Sequence, residues 1–598
     1  MNRSSTQTSC RRVASLLLGA FVLPPVAGCE DCGCPADAPS MDAGASGDPD
    51  ARAGGDASEP DASAPSGGRT GDPYEIGSPT LTDLFVSPSG DDDNAGTTLA
   101  APLLTLRAAW GKIPEGRLTT GVRINLLPGA YPCGEQELVD CNNGFAGRTG
   151  TYEAPIVLQA VDAGGQAAAG TATIRGGMDL YDVHYVYMIG LSLVAGPADQ
   201  GLPTNVSGND VLHIASSDHV LLRQVELAGP NGTADTENNI QEVLKVNHAQ
   251  EIFVEESDLS GTFQTVLDYM SVQGGHVLNS RIHRAGGRCA YVKGGSAYLV
   301  VAGNELFDCH EAGFQAGEGS TLNLMQAPFI HFEAYDVKFV NNVVHDIYGP
   351  GVSVAGGYDI LMAYNTFYRV GLSDGRSWGL LQLMHGGRTC SIVDEYPSAA
   401  AASARCQKQL DLGGWGTAEA GNASETGGEW IPDRSVYVYN NVFYNPAGAA
   451  TEYIHFTVNG PAELPGDAVN IPVPDATDGN LQIRGNLIWN GGKGLELLGT
   501  ANGSEPGCST SNATCNPAQL AADNTINVIE PELTDPAGGD FRPRVGGNVL
   551  GAAAYPVPDF TWDEWPAGSN VPAGTLDNSV GTNRNGEPRS GADHPGAY

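Results

Sequence analysis

Between Leu191 and Ile488 the chain repeats one hydrophobic phrase. An alternating apolar run is followed by a corner residue, one variable residue and a bulky apolar residue. The copies are Leu191-Ser-Leu193, Val225-Glu-Leu227, Ser257-Asp-Leu259, Ser280-Arg-Ile282, Asn304-Glu-Leu306, Asn342-Val-Val344, Asn365-Thr-Phe367, Asn441-Val-Phe443 and Asn486-Leu-Ile488. The tightest spacings are 23 and 24 residues, a period that marks a solenoid. Stretches such as 335–344 and 435–444 are dense in Val, Tyr and Phe in period-two alternation, which is strand patterning. No 3.6-period stripe occurs within a repeat, so solenoids with helical backs are disfavoured. In stacked coils one position per coil forms a column with a rise of about 4.8 Å. Asn in that column can pass amide hydrogen bonds from coil to coil and tolerates a left-handed corner. The Asn column is therefore read as structural.

The same pattern predicts the other elements. Thr105 to Ile113 reads as a short capping helix with Leu106, Ala109 and Trp110 on one face; a cap covers the open end of a solenoid. Coils are expected from about Val122 to Leu498 within a body at 76–500. An insertion at 373–432 carries Trp378, Met384, His385, Arg388, Trp415 and Trp430. It either lies over a binding face or is a surface decoration. Residues 501–598 read as a Pro- and Gly-rich extension packing along the solenoid.

The Asn-corner repeats resemble the right-handed parallel β-helix superfamily that includes pectate, alginate and chondroitin lyases. The phrase from Phe85 to Thr97 with Pro102-Leu-Leu-Thr-Leu106 resembles the N-terminal cap segment of secreted members. Asn583 to Arg589 through Tyr598 resembles the closing segment of many bacterial surface proteins. The resemblance spans roughly residues 80 to 598. It implies an all-β, single-stranded right-handed parallel β-helix with a short N-terminal capping helix and an irregular C-terminal tail.

The ends and the charge add a cellular context. Arg11 and Arg12 precede an apolar run from Val13 to Leu23, too short for a permanent span. It ends in Val26-Ala-Gly-Cys29, which resembles a bacterial lipobox. The resemblance implies a lipoprotein signal at 1–28 and lipidation of Cys29, with a membrane reached only through that anchor. Residues 29–75 are mostly Asp, Ala, Gly, Pro and Ser, a composition too poor in apolar residues to order itself, and are read as a tether. The net charge of −39 argues against nucleic acid, whose binding rests on phosphate neutralisation. The cysteines fall into near pairs: Cys32 with Cys34, Cys133 with Cys141, Cys289 with Cys309, Cys390 with Cys406 and Cys508 with Cys515. In an exported chain such pairs read as disulfides. The protein is expected as a monomer at the bacterial cell envelope or surface.

Counting back about twelve residues from each corner phrase gives a second column: His213, Lys245, Asp268, Lys293 (one place out of register), Gln315 and Ser353. Apolar neighbours should point inward and this set outward. Two of only six lysines fall in it. In the resembled lyases substrate lies across such a face; a cation or metal neutralises a uronate carboxylate while a base removes the adjacent proton. That resemblance implies Lys293, Lys245, Asp268 and Arg288 as catalytic residues, because Lys serves as a base when burial or nearby positive charge lowers its pKa. Tyr291-Val-Lys293-Gly-Gly-Ser296 resembles the Lys-bearing strand of the alginate and chondroitin lyases. Where those relatives carry Arg one coil on, this chain has Phe314-Gln-Ala-Gly-Glu318, and Arg288 or Arg284 is the substitute. His213, Gln315, His310, Trp378 and His385 are the candidate substrate contacts. His310-Glu311 and His331-x-Glu333 are further acid/base candidates. A solvated Lys-Asp-Lys ladder is the bland alternative. Asp91 to Asn94 could hold calcium through oxygen ligands, or simply be a solvated acidic loop. The chemistry expected is β-elimination on a uronate-containing polysaccharide; the alternative is a non-catalytic glycan-binding or adhesive surface lipoprotein.

Overall fold

The computed structural model describes residues 72–132, 144–195, 210–230, 240–372, 379–393, 396–420, 428–451, 453–464, 466, 468–500, 505–589 and 593–598. The signal segment, Cys29, most of the tether and Trp378 lie outside them. So do two of the expected disulfide pairs: Cys32 with Cys34, and Cys133 with Cys141. The disulfides of the described residues are Cys289–Cys309, Cys390–Cys406 and Cys508–Cys515. Cys133 and Cys141 are not among them, and their pairing stays an expectation from the sequence.

The predicted strands form, and they stack in parallel register from coil to coil. Two faces of the solenoid merge into one 20-stranded sheet because long strands such as Glu242–Glu255 and Thr265–Leu278 bend across both. A 12-stranded sheet makes the third face. On the first face Leu244, Leu267, Ala290, Phe314, Val352, Leu381 and Phe456 lie in register. All seven point into one continuous core. Alternation with period two then turns their neighbours outward.

The corner between the second and third faces carries the Asn column. Asn304, Asn342, Asn365, Asn441, Asn486 and Asn524 each donate or accept through their side-chain amides, at 2.8–3.1 Å from one coil to the next. Each Oδ1 also accepts the backbone N–H of the corner residue one coil earlier, Ser280 for Asn304 and an Asn for the others, as from Asn304 to Asn342 at 2.9 Å. Ser280 and Ser257 continue the column toward the N-terminus. Asn524-Thr-Ile526 is one more copy of the phrase, and its strand Thr525–Ile526 pairs with the strand Leu487–Asn490. The solenoid therefore runs past the expected boundary at 500.

The helix forms over Leu106–Gly111, with the Thr105 side chain accepting from Ala108 N and Leu106, Ala109 and Trp110 buried. Asp92 accepts from Leu104 N and Thr105 N, both at 2.9 Å, and from the Thr105 hydroxyl at 2.8 Å. Both of its oxygens therefore accept hydrogen bonds at the cap, a structural role for this acidic loop.

Three excursions leave the corner between the first and second faces, at 317–333, 385–433 and 459–479. Leu381–Met384 is a coil strand paired with Val352–Ala355 and Phe456–Val458. The main insertion therefore starts after Met384 rather than at residue 373. The Cys390–Cys406 disulfide ties its helix Ala399–Asp411 to the segment after the strand Gly386–Thr389. Arg388, fully buried, donates to Glu333 at 2.7 and 3.1 Å and to the carbonyls of Trp415 and His331 at 2.8 and 3.0 Å. Glu333 in turn accepts from Gly294 N and the Ser320 hydroxyl. This ion pair locks two excursions onto the first-face corner. After residue 552 the tail lies along the second face: Asn440 donates to the Tyr555 carbonyl, Lys338 to that of Thr575 and Asn341 to that of Thr582.

Candidate functional site

Register on the outer side of the first face gives one polar residue per coil: Asp179, His213, Lys245, Asp268, Tyr291, Gln315, Ser353, Gln382 and Thr457. The column expected from the sequence exists, with one correction. Tyr291, not Lys293, occupies it; Lys293 lies two residues on, in register with Met270. The cause is local. Asp268 and Val272 are four residues apart, whereas their partners Tyr291 and Ser296 are separated by five. The extra residue sits in the Gly294-Gly295 corner, where φ is +64° and +82°. Glycine takes those left-handed values without a Cβ penalty.

The expected Lys-Asp-Lys ladder is thereby split in two. Lys245 Nζ contacts Asp268 Oδ2, and the Tyr291 hydroxyl donates to the same oxygen at 2.9 Å. Lys293 Nζ instead donates to Glu318 Oε2 at 2.8 Å and lies 4.4 Å from the Tyr291 ring centroid. Arg288 joins Lys293 at Glu318 and lies 5.5 Å from the Tyr291 ring centroid. Its Nε donates to Gln315 Oε1 at 3.0 Å and its other nitrogens meet Glu311 at 2.9 Å and Glu318 at 3.1 Å. The Asp268 side chain is 0% exposed, against 19% for Lys245, 15% for Lys293 and 22% for Arg288. Asp268 can therefore only position its neighbours, while the three cations reach the surface.

The two lysines are tuned in opposite senses. Burial and the Lys293 charge push Lys245 below the ordinary lysine range, against the pull of Glu242. Burial works against the charged form of Lys293 too, but the Glu318 carboxylate 2.8 Å away helps hold its pKa up. Burial raises Tyr291, so its hydroxyl stays protonated.

The remaining candidates separate by burial. His213 sits in the column, 3.4 Å from Asp179 and 3.2 Å from Asn247. Gln315 is nearly buried and held between Arg288 and the Gly317 carbonyl. His310 stands at the turn into the first face and stacks on Tyr348 with centroids 4.5 Å apart. His385 is buried 3.4 Å from Asp475 inside the excursions. His331 is also buried, and desolvation lowers its pKa to about 4, leaving it a neutral packing residue. Arg284 donates to Ser260 on the third face, so Arg288 is the arginine that reaches the column. Trp415 and Trp430 are 1% exposed and pack in one cluster with Phe332, Tyr335 and Tyr358. They offer no exposed platform. Tyr291 and Glu318 were missed as members, since sequence spacing alone does not reveal a one-residue corner insertion.

The carboxylates of this outer face do not fit a calcium ion: Asp268, Glu318 and Glu311 each face a lysine or arginine. Asp478, Cys508 and Cys515 are the one cluster of three ligand-type side chains among the described residues, but its two sulfurs share a disulfide. The Cys289–Cys309 disulfide, with Cα atoms 5.6 Å apart, links the third face to the strand that carries Tyr291 and Lys293.

Residues 224–390 match the family model described as "Right handed beta helix region". The fold is a right-handed parallel β-helix. No curated protein sequence matches the chain. Similar solved structures include pectate lyase Pel9A, at 13% identity and a TM-score of 0.34, covering 89% of this chain and 98% of that one. A rhamnogalacturonan lyase matches at 10% identity and a TM-score of 0.36, covering 76% of this chain and 95% of that one. The A-module of the Azotobacter vinelandii mannuronan C-5 epimerase AlgE4 matches at 10% identity and 0.32, covering 64% and 87%. Likenesses at these identities assign no chemistry to this β-helix.

Proposed function

We propose that the outer first face binds an anionic, uronate-containing polysaccharide and cleaves it by β-elimination. The observation that carries this reading is geometric: Lys245, Lys293 and Arg288 all reach the surface of one outward face, at 15–22% side-chain exposure, around the buried Asp268. Lys293, its pKa held up, and the Arg288 guanidinium receive the uronate carboxylate and stabilise the negative charge that builds on it as the adjacent C–H bond breaks. Lys245, whose pKa burial lowers, takes that proton once it has lost its own. The electron pair forms the new double bond as the glycosidic C–O bond breaks, and water supplies the proton to the departing oxygen. Tyr291 and Asp268 position Lys245. Export with a lipid on Cys29 and a tether at 29–75 would place the β-helix beside extracellular polymer.

One observation favours the second reading, a glycan-binding surface protein without catalysis. Each cation of this outer face already has a carboxylate partner, and so is less available to a substrate. Ultraviolet absorbance of unsaturated uronate products separates the two, over alginate, pectate and glycosaminoglycans with calcium or with chelator. Product on one polymer, lost in Lys245→Ala, supports the lyase; silence on all of them with retained binding leaves the binder.

A further inference from the structure

A second concave site opens on the third face, near the turn that leads into the first. It is a cleft of about 660 Å³ whose walls include Asp308, Asp346, Tyr348, Arg369 and the segment 446–450. Tyr348 is 46% exposed, unusual for so large a ring. Its other side rests on the His310 imidazole, at 4.5 Å and 24° from coplanar. The ring is thus held in one orientation with its contact area free, which lowers the ordering cost of stacking a ligand on it.

The polar walls differ in kind from the outer first face. Asp346 is fully committed: one oxygen accepts from Arg369 Nε at 2.6 Å, the other faces His345 Nδ1 at 2.9 Å. Its charge and that of Arg369 offset each other. Asp308, one coil away and exposed, has no side-chain partner among the described residues. The unbalanced charge of the cleft is therefore negative and belongs to a carboxylate able to accept from ligand hydroxyls. A free carboxylate disfavours a uronate here, and the cleft has no unpaired cation among the described residues to offset it.

The geometry points to a binding site for a neutral oligosaccharide, with one sugar ring stacked on Tyr348 and its hydroxyls donating to Asp308. Small-molecule sites of this volume combine an apolar or aromatic floor with few placed polar groups. The cleft is one turn away from the outer first face. His310 supports Tyr348, and the next residue, Glu311, pairs with Arg288 at 2.9 Å. Neutral branches or blocks of a polymer lying on that face could enter it, but binding in the cleft does not depend on catalysis there.

The test is isothermal titration of the full chain with neutral tetrasaccharides of β-1,4-linked glucose, mannose, xylose and galactose, and with tetra-uronates. At least one neutral probe should bind, and Tyr348→Ala should weaken it about tenfold or more, as a buried aromatic anchor does. Tyr348→Phe should keep most of the affinity, Asp308→Asn should weaken it several-fold, and Lys245→Ala should leave it unchanged. The exposure of Tyr348 makes its variants tolerant in folding, checked by circular dichroism. No binding by any neutral probe, or binding indifferent to Tyr348→Ala, overturns the site. Tyr348-dependent binding of tetra-uronates alone overturns the assignment of a neutral ligand.

Discussion

Two columns run along this β-helix with the same geometry and opposite chemistry. At the corner between the second and third faces six coils repeat Asn, and every amide meets the next at 2.8–3.1 Å. On the outer first face the residue changes at each coil, from His213 through Lys245, Asp268 and Tyr291 to Gln315. A homogeneous column satisfies itself, because each donor finds an identical acceptor one rise away. A heterogeneous column cannot, so its members form specific local pairs and leave cations at the surface. Repetition marks what holds the coils together; variation marks the face to which binding is assigned in the proposal.

Breaking each column should therefore damage different properties. Lys245→Ala should lower the rate of unsaturated-product formation by about 10²–10⁴-fold, the usual contribution of a general base. Asn342→Ala should leave the rate per folded molecule unchanged but cost about 2–3 kcal/mol of stability, because it orphans buried groups on Asn304 and Asn365, read by denaturant or thermal melts. Tyr291→Phe removes a donor to buried Asp268 and should cost about 1–2 kcal/mol together with a change in the pH profile. That profile sharpens the comparison. The proposed elimination requires neutral Lys245, so the rate should rise with pH along a limb lying below the ordinary lysine value of 10.5. Lys293→Met removes a like charge that lowers Lys245, so it should move the limb to higher pH; Glu242→Gln removes an attraction that raises Lys245 and should move it lower. An immobile limb in both variants would detach Lys245 from the chemistry. The smallest effect is expected at Arg281→Ala. Its pairs with Asp258 and Glu305 belong to a side chain 53% exposed, and exposed pairs contribute less than about 1 kcal/mol.

Much of the molecule was legible in the sequence for the same reason that makes it a solenoid. Each coil contacts only its neighbours, so a local phrase such as Asn365-Thr-Phe367 specifies both a corner and its stacking partner. Cys289 and Cys309 were readable as a pair because nearly one coil separates them. Cys133 and Cys141 were paired on proximity in the chain alone, and that pair falls outside the described residues. The outward column was readable to within one residue, and it failed where Gly294-Gly295 lengthened one corner and replaced Lys293 with Tyr291. The excursions were the least legible part. Trp415, Trp430, His385 and Arg388 looked like ligand-facing chemistry in a long insertion, yet they are buried against Phe332, Asp475 and Glu333. Those partners lie in other excursions, 55 residues from Arg388 in the case of Glu333, beyond the reach of any periodicity.

The sequence by itself determined the fold, the Asn corners and the outward direction of the lysines, because period and alternation are properties of each coil and its nearest neighbour. Only the tertiary structure decided which polar side chains share a carboxylate, which lysine is lowered and which raised, and which aromatic residues remain open. Those outcomes depend on a one-residue difference in corner length and on excursions folding back over the face, and both are set by contacts between coils rather than within them.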